Sequence, residues 1–313
     1  MRLFFATDLH GSEIVFRKFL NAIEVYEADV AILGGDLTGK RIVPIVETNG
    51  GFVAEVAGRD VHVDSIAAIE SLDAQIRDQG QYPLRVTPEE LRALNENDEA
   101  VEERFVEECH AQVADWMARA AKRFRPLGIP LFVTGGNDDY LSIEHVLDEA
   151  DYVVNAEGRV LELPNGVEMI STGYGNETPW HCPRDISEEE LQAKIDGMAS
   201  CLRGFSSAVF NLHVPPYGSG LDTCPKLDSS VSPPKPIVGE ETAAGSVAVS
   251  GSIARFQPIL SLHGHIHESR GICRIGRTTA INPGSEYGEG ILRSAVIDIF
   301  DDGERIAPQL LSS

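Results

Sequence analysis

Five short apolar runs punctuate the chain, and each ends on a side chain able to hold a divalent metal. Leu3-Phe4-Phe5-Ala6-Thr7 leads into Asp8-Leu9-His10, and Val30-Ala31-Ile32-Leu33-Gly34-Gly35 leads into Asp36. Leu131-Phe132-Val133-Thr134-Gly135-Gly136 delivers Asn137, Val209-Phe210-Asn211-Leu212 delivers His213, and Ile259-Leu260-Ser261-Leu262-His263-Gly264 delivers His265-Ile266-His267. Continuous apolar runs mark strands buried on both faces, and ligands of α/β folds gather beyond the carboxyl ends of such strands. Carboxylate, imidazole and amide groups in this number exceed what one metal needs. A two-metal hydrolase site is the economical account.

Between the runs, the pattern changes period. Ser12 stands where it would cap a helix whose apolar face includes Phe16, Phe19, Leu20 and Ile23, so the chain opens strand, helix, strand. A long excursion then separates the second run from the third. Ile42 to Val46, the Asn49-Gly50-Gly51 turn and Phe52 to Val56 predict a hairpin, which Val61-His62-Val63 extends. Two helices follow, one capped by Asp64 and closed by Gly80. The other opens on the Thr87-Pro88-Glu89-Glu90 capping box and carries Leu91, Leu94, Val101, Phe105, Val113, Trp116, Ala120 and Phe124. The excursion, about residues 40–125, reads as a hairpin-plus-helices insertion in one domain spanning 1–313. Further on, Arg159 to Leu163 and Val167 to Thr172 predict another hairpin, and Ser187 with Glu190 boxes a helix. The stretch at about 214–246 is rich in Pro, Gly and Ser, lacks periodicity and starts beside His213, so it is expected to be an active-site border loop. Strands at Thr278 to Ile281, Leu292 to Phe300 and Arg305 to Leu311, the last two joined by an Asp301-Asp302-Gly303 turn, close the chain.

Composition narrows the partners. Apolar residues make up 42% of the 313, ordinary for a globular protein, and no stretch approaches the roughly 20 apolar residues that span a bilayer. The N-terminus has no signal-peptide succession and runs straight into the first ligands, so a cytoplasmic location is expected. Cysteines 109, 182, 201, 224 and 273 form no C-x-x-C pair, and their odd number disfavours a complete disulfide framework. With 26 basic and 49 acidic residues the net charge is −23, a field that repels long nucleic acid and suits a small substrate.

Each candidate alone has a bland alternative: a surface histidine, a turn glycine pair, two histidines on one strand face. Their joint occurrence after strand-like runs is the signal. Asp8-x-His10, Gly35-Asp36, Gly136-Asn137, His213 and Gly264-His265-x-His267, with Asn282-Pro283-Gly284-Ser285, resemble the calcineurin-like metallophosphoesterases over residues 3 to about 300. The segments Asn176 to Arg184 and Pro215 to Lys226 are similar to a prokaryotic subgroup of predicted phosphoesterases.

The resemblance implies a four-layer α/β/β/α sandwich of two mixed sheets flanked by helices, with a dimetal site at strand ends. It implies one metal on Asp8, His10, Asp36 and His267 and a second on Asp36, Asn137, His213 and His265, with Asp36 bridging. Imidazole with carboxylate suits Mn²⁺, the expected ion, and also Fe or Zn²⁺. Two such ions share a hydroxide for in-line attack on phosphorus. The chain departs from the family at Asp138, where a histidine serving phosphate or leaving group is common. A carboxylate there would repel a monoester dianion more than a diester monoanion, and would aid a leaving group only if protonated. Asn137 and Asp138 are therefore the catalytic candidates.

Trp180, Arg184 and Tyr217 are candidate substrate contacts, for stacking, phosphate pairing and pocket lining respectively. The expected function is hydrolysis of small phosphodiesters or nucleotide-like diesters. A phosphomonoesterase or nucleotide pyrophosphatase with the same site is the alternative. A scaffold that has lost catalysis would show eroded ligands, and here every ligand position is filled. A DNA-processing nuclease is disfavoured by the acidic charge. The Ile42 to Val63 hairpin is a possible contact for a homo-oligomer.

Overall fold

The structure, a computed structural model, describes residues 1–228, 230–231, 233–300 and 305–313. Two mixed six-stranded sheets lie face to face. The first runs in the order Ile306–Ser312, Arg293–Ile299, Arg2–Ala6, Val30–Leu33, Leu131–Val133, Val154–Asn155, with its last four strands parallel. The second runs Gly271–Ile275, Thr278–Asn282, Leu260–Leu262, Val209–Leu212, Glu168–Thr172, Arg159–Glu162, with four parallel strands inside two antiparallel edges.

Strand period decides what lies between the layers. In the first strand Leu3 and Phe5 face the second sheet, where they join Val30, Ile32, Met169, Val209, Leu260 and Ile281. Phe4 and Ala6 face outward, against Phe16, Phe19 and Ile23 of the helix Glu13–Val25 and Trp116 and Phe124 of the helix Asp98–Phe124. On the far side Ile170, Phe210 and Leu212 pack under the helices Glu188–Ala199 and Val247–Phe256. Apolar residues on both faces of these strands are thus required by two cores, and the result is the expected α/β/β/α sandwich. Among the described residues no helix is long and apolar enough to cross a membrane.

The excursion departs from its sequence reading in instructive ways. It carries a four-stranded sheet in the order Arg59–Val63, Gly51–Val56, Ile42–Thr48, Tyr82–Val86, in which the last strand pairs parallel with Ile42–Thr48 and is short and interrupted by Pro83, which masks its alternation. Ser65, not Asp64, caps the helix Ile66–Asp78, its Oγ accepting from Ala68 N at 3.3 Å. The expected single helix after Thr87 is two, Pro88–Asn95 and Asp98–Phe124. Asn97 breaks it by accepting from Ala100 N at 3.2 Å, the competition that makes Asn a better cap than interior residue. Ser12 precedes its helix as expected, yet its hydroxyl donates to Asp78 O at 2.7 Å instead of capping.

The expected border loop contains an antiparallel ribbon, Thr223–Asp228 with Lys235–Ala243, bulged between Pro225 and Leu227. The strand Lys235–Ala243 is largely exposed and Thr223–Asp228 is half-buried on both faces, so neither carries the alternation that would have revealed it. Asp222 pins its base, Oδ2 accepting from Gly218 N at 2.8 Å and Gly245 N at 3.1 Å. The Asp301-Asp302-Gly303 turn lies outside the described residues.

Candidate metal centre

The loops at the ends of the central strands are laced to one another by backbone hydrogen bonds. Asp8 N donates to Gly35 O at 2.9 Å, His10 N to Asp36 O at 2.9 Å, and Gly264 N to His213 O at 2.8 Å. Asp8, His10, Asp36 and His265 all adopt positive φ, at 54°, 43°, 50° and 65°. Non-glycine residues pay for that conformation, and such outliers concentrate where a site over-determines the backbone. Close glycines let the loops meet: a Cβ on Gly136 would lie 2.1 Å from Asp36 Oδ1.

Two groups of side chains converge there. Ligand atoms of Asp8, His10, Asp36 and His267 lie within 4.8 Å of one another, and so do those of Asp36, His213 and His265. Asp36 belongs to both groups. Its Oδ2 is 3.5 Å from His10 Nε2 and its Oδ1 3.4 Å from His213 Nε2, while Asp8 Oδ1 is 3.4 Å from His267 Nε2. Asn137, almost fully buried, sets its Oδ1 2.8 Å from His265 Nδ1. All seven sequence candidates for metal binding are therefore brought to one place.

The donor chemistry fits cations. His213 Nδ1 faces Gly34 O at 3.0 Å, which aims Nε2 inward, and that buried Nε2 has no hydrogen-bond partner among the described residues. His10 Nε2 and His267 Nε2 face each other at 3.0 Å, two nitrogens aimed at a common point. Burial alone would raise the Asp8 carboxyl, but His267 and His213 bring it down to about 2. Asp36 is likewise held well below the carboxylate range against its burial, by His213 and then His10. Burial lowers His10 well below the ordinary histidine value and takes His265 down to about 4, leaving both imidazoles neutral with lone pairs to offer. His213 is carried up to about 9 by Asp36 and Asp8 despite burial. Ionised carboxylates, His10 and His265 held neutral, and no thiolate in either group make a donor set for divalent ions such as Mn²⁺, Fe²⁺ or Zn²⁺.

Several contributors were invisible as isolated letters. Asp139, fully buried, accepts from Leu37 N, Thr38 N and Gly136 N at 2.9, 2.9 and 2.8 Å and so ties the Asp36 loop to the Asn137 loop. Its position beside Asp138 was the only signal. Asn282 Nδ2 donates to Ile266 O at 2.9 Å and Ser285 Oγ to Asp8 O at 2.7 Å, which gives the Asn-Pro-Gly-Ser element its work as a brace. Tyr287 packs its ring 4.7 Å from that of His10.

Asp138 has two side-chain partners. Lys40 Nζ pairs with its Oδ2, and Cys182 Sγ donates to Oδ1 at 3.1 Å. With both oxygens accepting, it is arranged as a carboxylate and not as a leaving-group acid. Arg184 is corrected as a substrate contact. It is fully buried and spends its donors on Glu144 at 2.6 Å, Asp139 O at 2.9 Å and Tyr140 O at 3.2 Å. Trp180 is 59% exposed and lines a cavity of about 540 Å³ with Pro179, Pro225, Leu227, His265 and His267. Tyr217 sits at the base of the ribbon, its N donating to Ser246 O at 3.0 Å, and is not among the described residues lining that cavity.

No family model matches the chain. A protein of Methanocaldococcus jannaschii, the uncharacterized MJ1162, is 28% identical over 141 residues. That match takes in 45% of this chain and 58% of the relative's length. Among solved structures, TT1561 of Thermus thermophilus superposes with a TM-score of 0.55 at 12% identity, covering 98% of this chain and 97% of that one. Another crystal structure gives 0.55 at 15% identity, with 98% of both chains covered. At these identities the likeness establishes the fold.

Proposed function

From the premise that the chain has the fold of the calcineurin-like phosphoesterases, we propose that it is a metal-dependent phosphoric ester hydrolase acting on small phosphodiesters. The observation that carries the reading is Asp36, common to both groups of ligand atoms. Asp8, His10, Asp36 and His267 would hold one divalent ion, and Asp36, Asn137, His213 and His265 the other. When bound, a pair of such ions supplies an activated water and positive charge for the phosphoryl oxygens.

The chain's own residues do the rest. Gly34 O orients the His213 ring, and Asp139 fixes the spacing of the Asp36 and Asn137 loops. The backbone N–H of His265 holds Asp8, at 3.0 and 3.2 Å from its two carboxylate oxygens. The cavity beside His265 and His267 has an apolar wall from Trp180, Pro179, Pro225 and Leu227 and room for an organic substituent beyond the phosphate. That wall favours diesters with a flat or apolar group. The phosphomonoesterase reading keeps one supporting observation: Lys40 compensates the Asp138 charge that would otherwise repel a dianion.

Chelator-treated protein supplemented with Mn²⁺ is assayed against paired aryl phosphate diester and monoester substrates. Metal-dependent diester turnover in excess of monoester turnover is expected. Dominant monoester turnover transfers the assignment to the alternative, and no turnover with Mn²⁺, Fe²⁺ or Zn²⁺ sinks the hydrolase reading.

A further inference from the structure

Lys40 lies four residues beyond Asp36, at the point where the excursion leaves the ligand loop. Its backbone has little freedom. Lys40 N donates to Gly80 O at 3.2 Å, and Gly39 N to Tyr82 Oη at 2.8 Å. Gly80 has φ +73°, and a Cβ there would lie 2.0 Å from His10 O, so the turn after the helix Ile66–Asp78 is pressed against the His10 loop. Tyr82 Oη donates onward to Gln112 Oε1 at 2.9 Å, and Gln112 Nε2 to Gly11 O at 2.9 Å. Tyr82 and Gln112 are both buried. The excursion thereby grips the backbone at His10–Gly11 and at Gly39–Lys40 and fixes where Lys40 leaves the chain.

The side chain reaches the centre itself. Nζ pairs with Asp138, whose own N donates to Oδ1 of the shared Asp36 at 3.1 Å. An ammonium has three N–H donors, and the Asp138 pair uses one. The side chains of Lys40 and Asp138 are 41% and 29% exposed, so the remaining donors are open to solvent beside the loop that carries Asn137. Arg184, a second cation beside the Asn137 loop, is fully buried and each of its three nitrogens is bonded, to Glu144, Asp139 O and Tyr140 O. A phosphate approaching a chain of net charge −23 gains from a protein cation beside the charge that bound metal ions would supply.

We infer that Lys40, held in place by Asp138, binds a non-bridging oxygen of the substrate phosphate, and that this pair sets how the site weighs monoester dianions against diester monoanions. The inference rests on the reading of the site as a phosphoester centre. Lys40 makes the contact, and Asp138 is a positioning residue.

Orthophosphate binding to the Mn²⁺-loaded full chain, measured by titration calorimetry, tests this without turnover. Lys40→Gln should weaken phosphate about tenfold, the scale of one charge-assisted hydrogen bond, with metal content and thermal midpoint unchanged. Lys40→Arg should retain most of the affinity. In parallel, kcat/KM for the aryl monoester should fall several-fold further than for the diester in Lys40→Gln. Unchanged phosphate affinity in Lys40→Gln, no rescue by Lys40→Arg, or no phosphate binding by wild type each overturns the inference. Lys40-dependent phosphate binding without turnover of either ester would support Lys40 and remove the hydrolase reading. Turnover with Lys40-independent phosphate binding would do the reverse.

Discussion

The candidate centre has a floor and a rim, held in opposite ways. On the floor, Asp8, His10, Asp36, Asn137 and His213 are almost wholly buried, sit on loops laced to one another, and in three cases adopt positive φ. On the rim, Trp180 is 59% exposed and Val238 of the ribbon 99%, although Asp222 anchors the ribbon where it leaves the sheet. The floor has one geometry available to it. The rim is free to vary in sequence without disturbing the core. Floor residues should therefore govern whether any ester is hydrolysed, and rim residues which one.

The most severe break should come from Asp36→Ala. It removes the carboxylate shared by both groups, and losing even an outer partner of a metal ligand costs roughly 10–100-fold. Turnover should fall below about one-hundredth of wild type, with metal content by atomic emission falling with it. A variant that keeps full metal content would break the link between Asp36 and the floor. Asp139→Ala comes next. It leaves buried N–H groups of Leu37, Thr38 and Gly136 without their acceptor, which should cost about 3 kcal/mol in urea denaturation and weaken metal binding roughly 10–100-fold. Stability lost with metal affinity intact would show that the two loops need no tie to each other.

The same division explains what was legible in the chain. Floor strands are apolar on both faces because Leu3 and Phe5 serve one core while Phe4 serves another, so their runs and the ligands after them stood out. The rim carries no such requirement. Neither strand of the ribbon has a buried face, and its Pro, Gly and Ser residues read as a loop. Tyr82–Val86 escaped notice because its short mixture of Pro, Arg and apolar residues pairs parallel with a distant strand. Arg184 misled for a physical reason: a cation beside a candidate phosphate site looks like a contact until its burial and its bond to Glu144 are seen. Asp139 and Lys40 act through partners remote in the chain or through a fold not yet formed, and one letter cannot report that.

A pH test sharpens the comparison from the floor's underside. His263 is fully buried, its Nδ1 facing Leu212 O at 2.7 Å and its Nε2 facing Ser261 Oγ at 2.8 Å, and burial lowers it to about 4. The folded value lies below the unfolded one near 6.5, so folding favours the neutral ring. Its contribution is complete above about pH 6.5 and is lost as pH falls toward about 4, at most about 3 kcal/mol in all. In chelator-treated protein the wild-type acid limb should be steeper than that of His263→Gln over this window. Parallel limbs would show that His263 is not held neutral by the fold.

The smallest expected effect belongs to the rim. Trp180→Ala removes an exposed side chain that packs little of the core, so the stability in urea should move by less than about 0.5 kcal/mol. If the indole faces the organic group of the substrate across the cavity, the loss of an aromatic contact worth about 0.5–1.5 kcal/mol should raise KM for aryl diesters roughly 2–10-fold, with kcat nearly unchanged. A dimethyl phosphate diester, with no flat group to stack, should show no such change. Equal losses for both esters would mean that Trp180 shapes the loop 176–182 and not the substrate, and the rim would then owe its selectivity to Pro225 and Leu227 of the ribbon. A fall in kcat with intact KM would carry the effect into the floor, through Thr178 and Cys182, which both hydrogen-bond to Asp185 Oδ2, at 2.9 Å from each backbone N. Asp185 in turn accepts from Asn137 Nδ2 at 3.3 Å, so that route is short enough for rim and floor to be one unit after all.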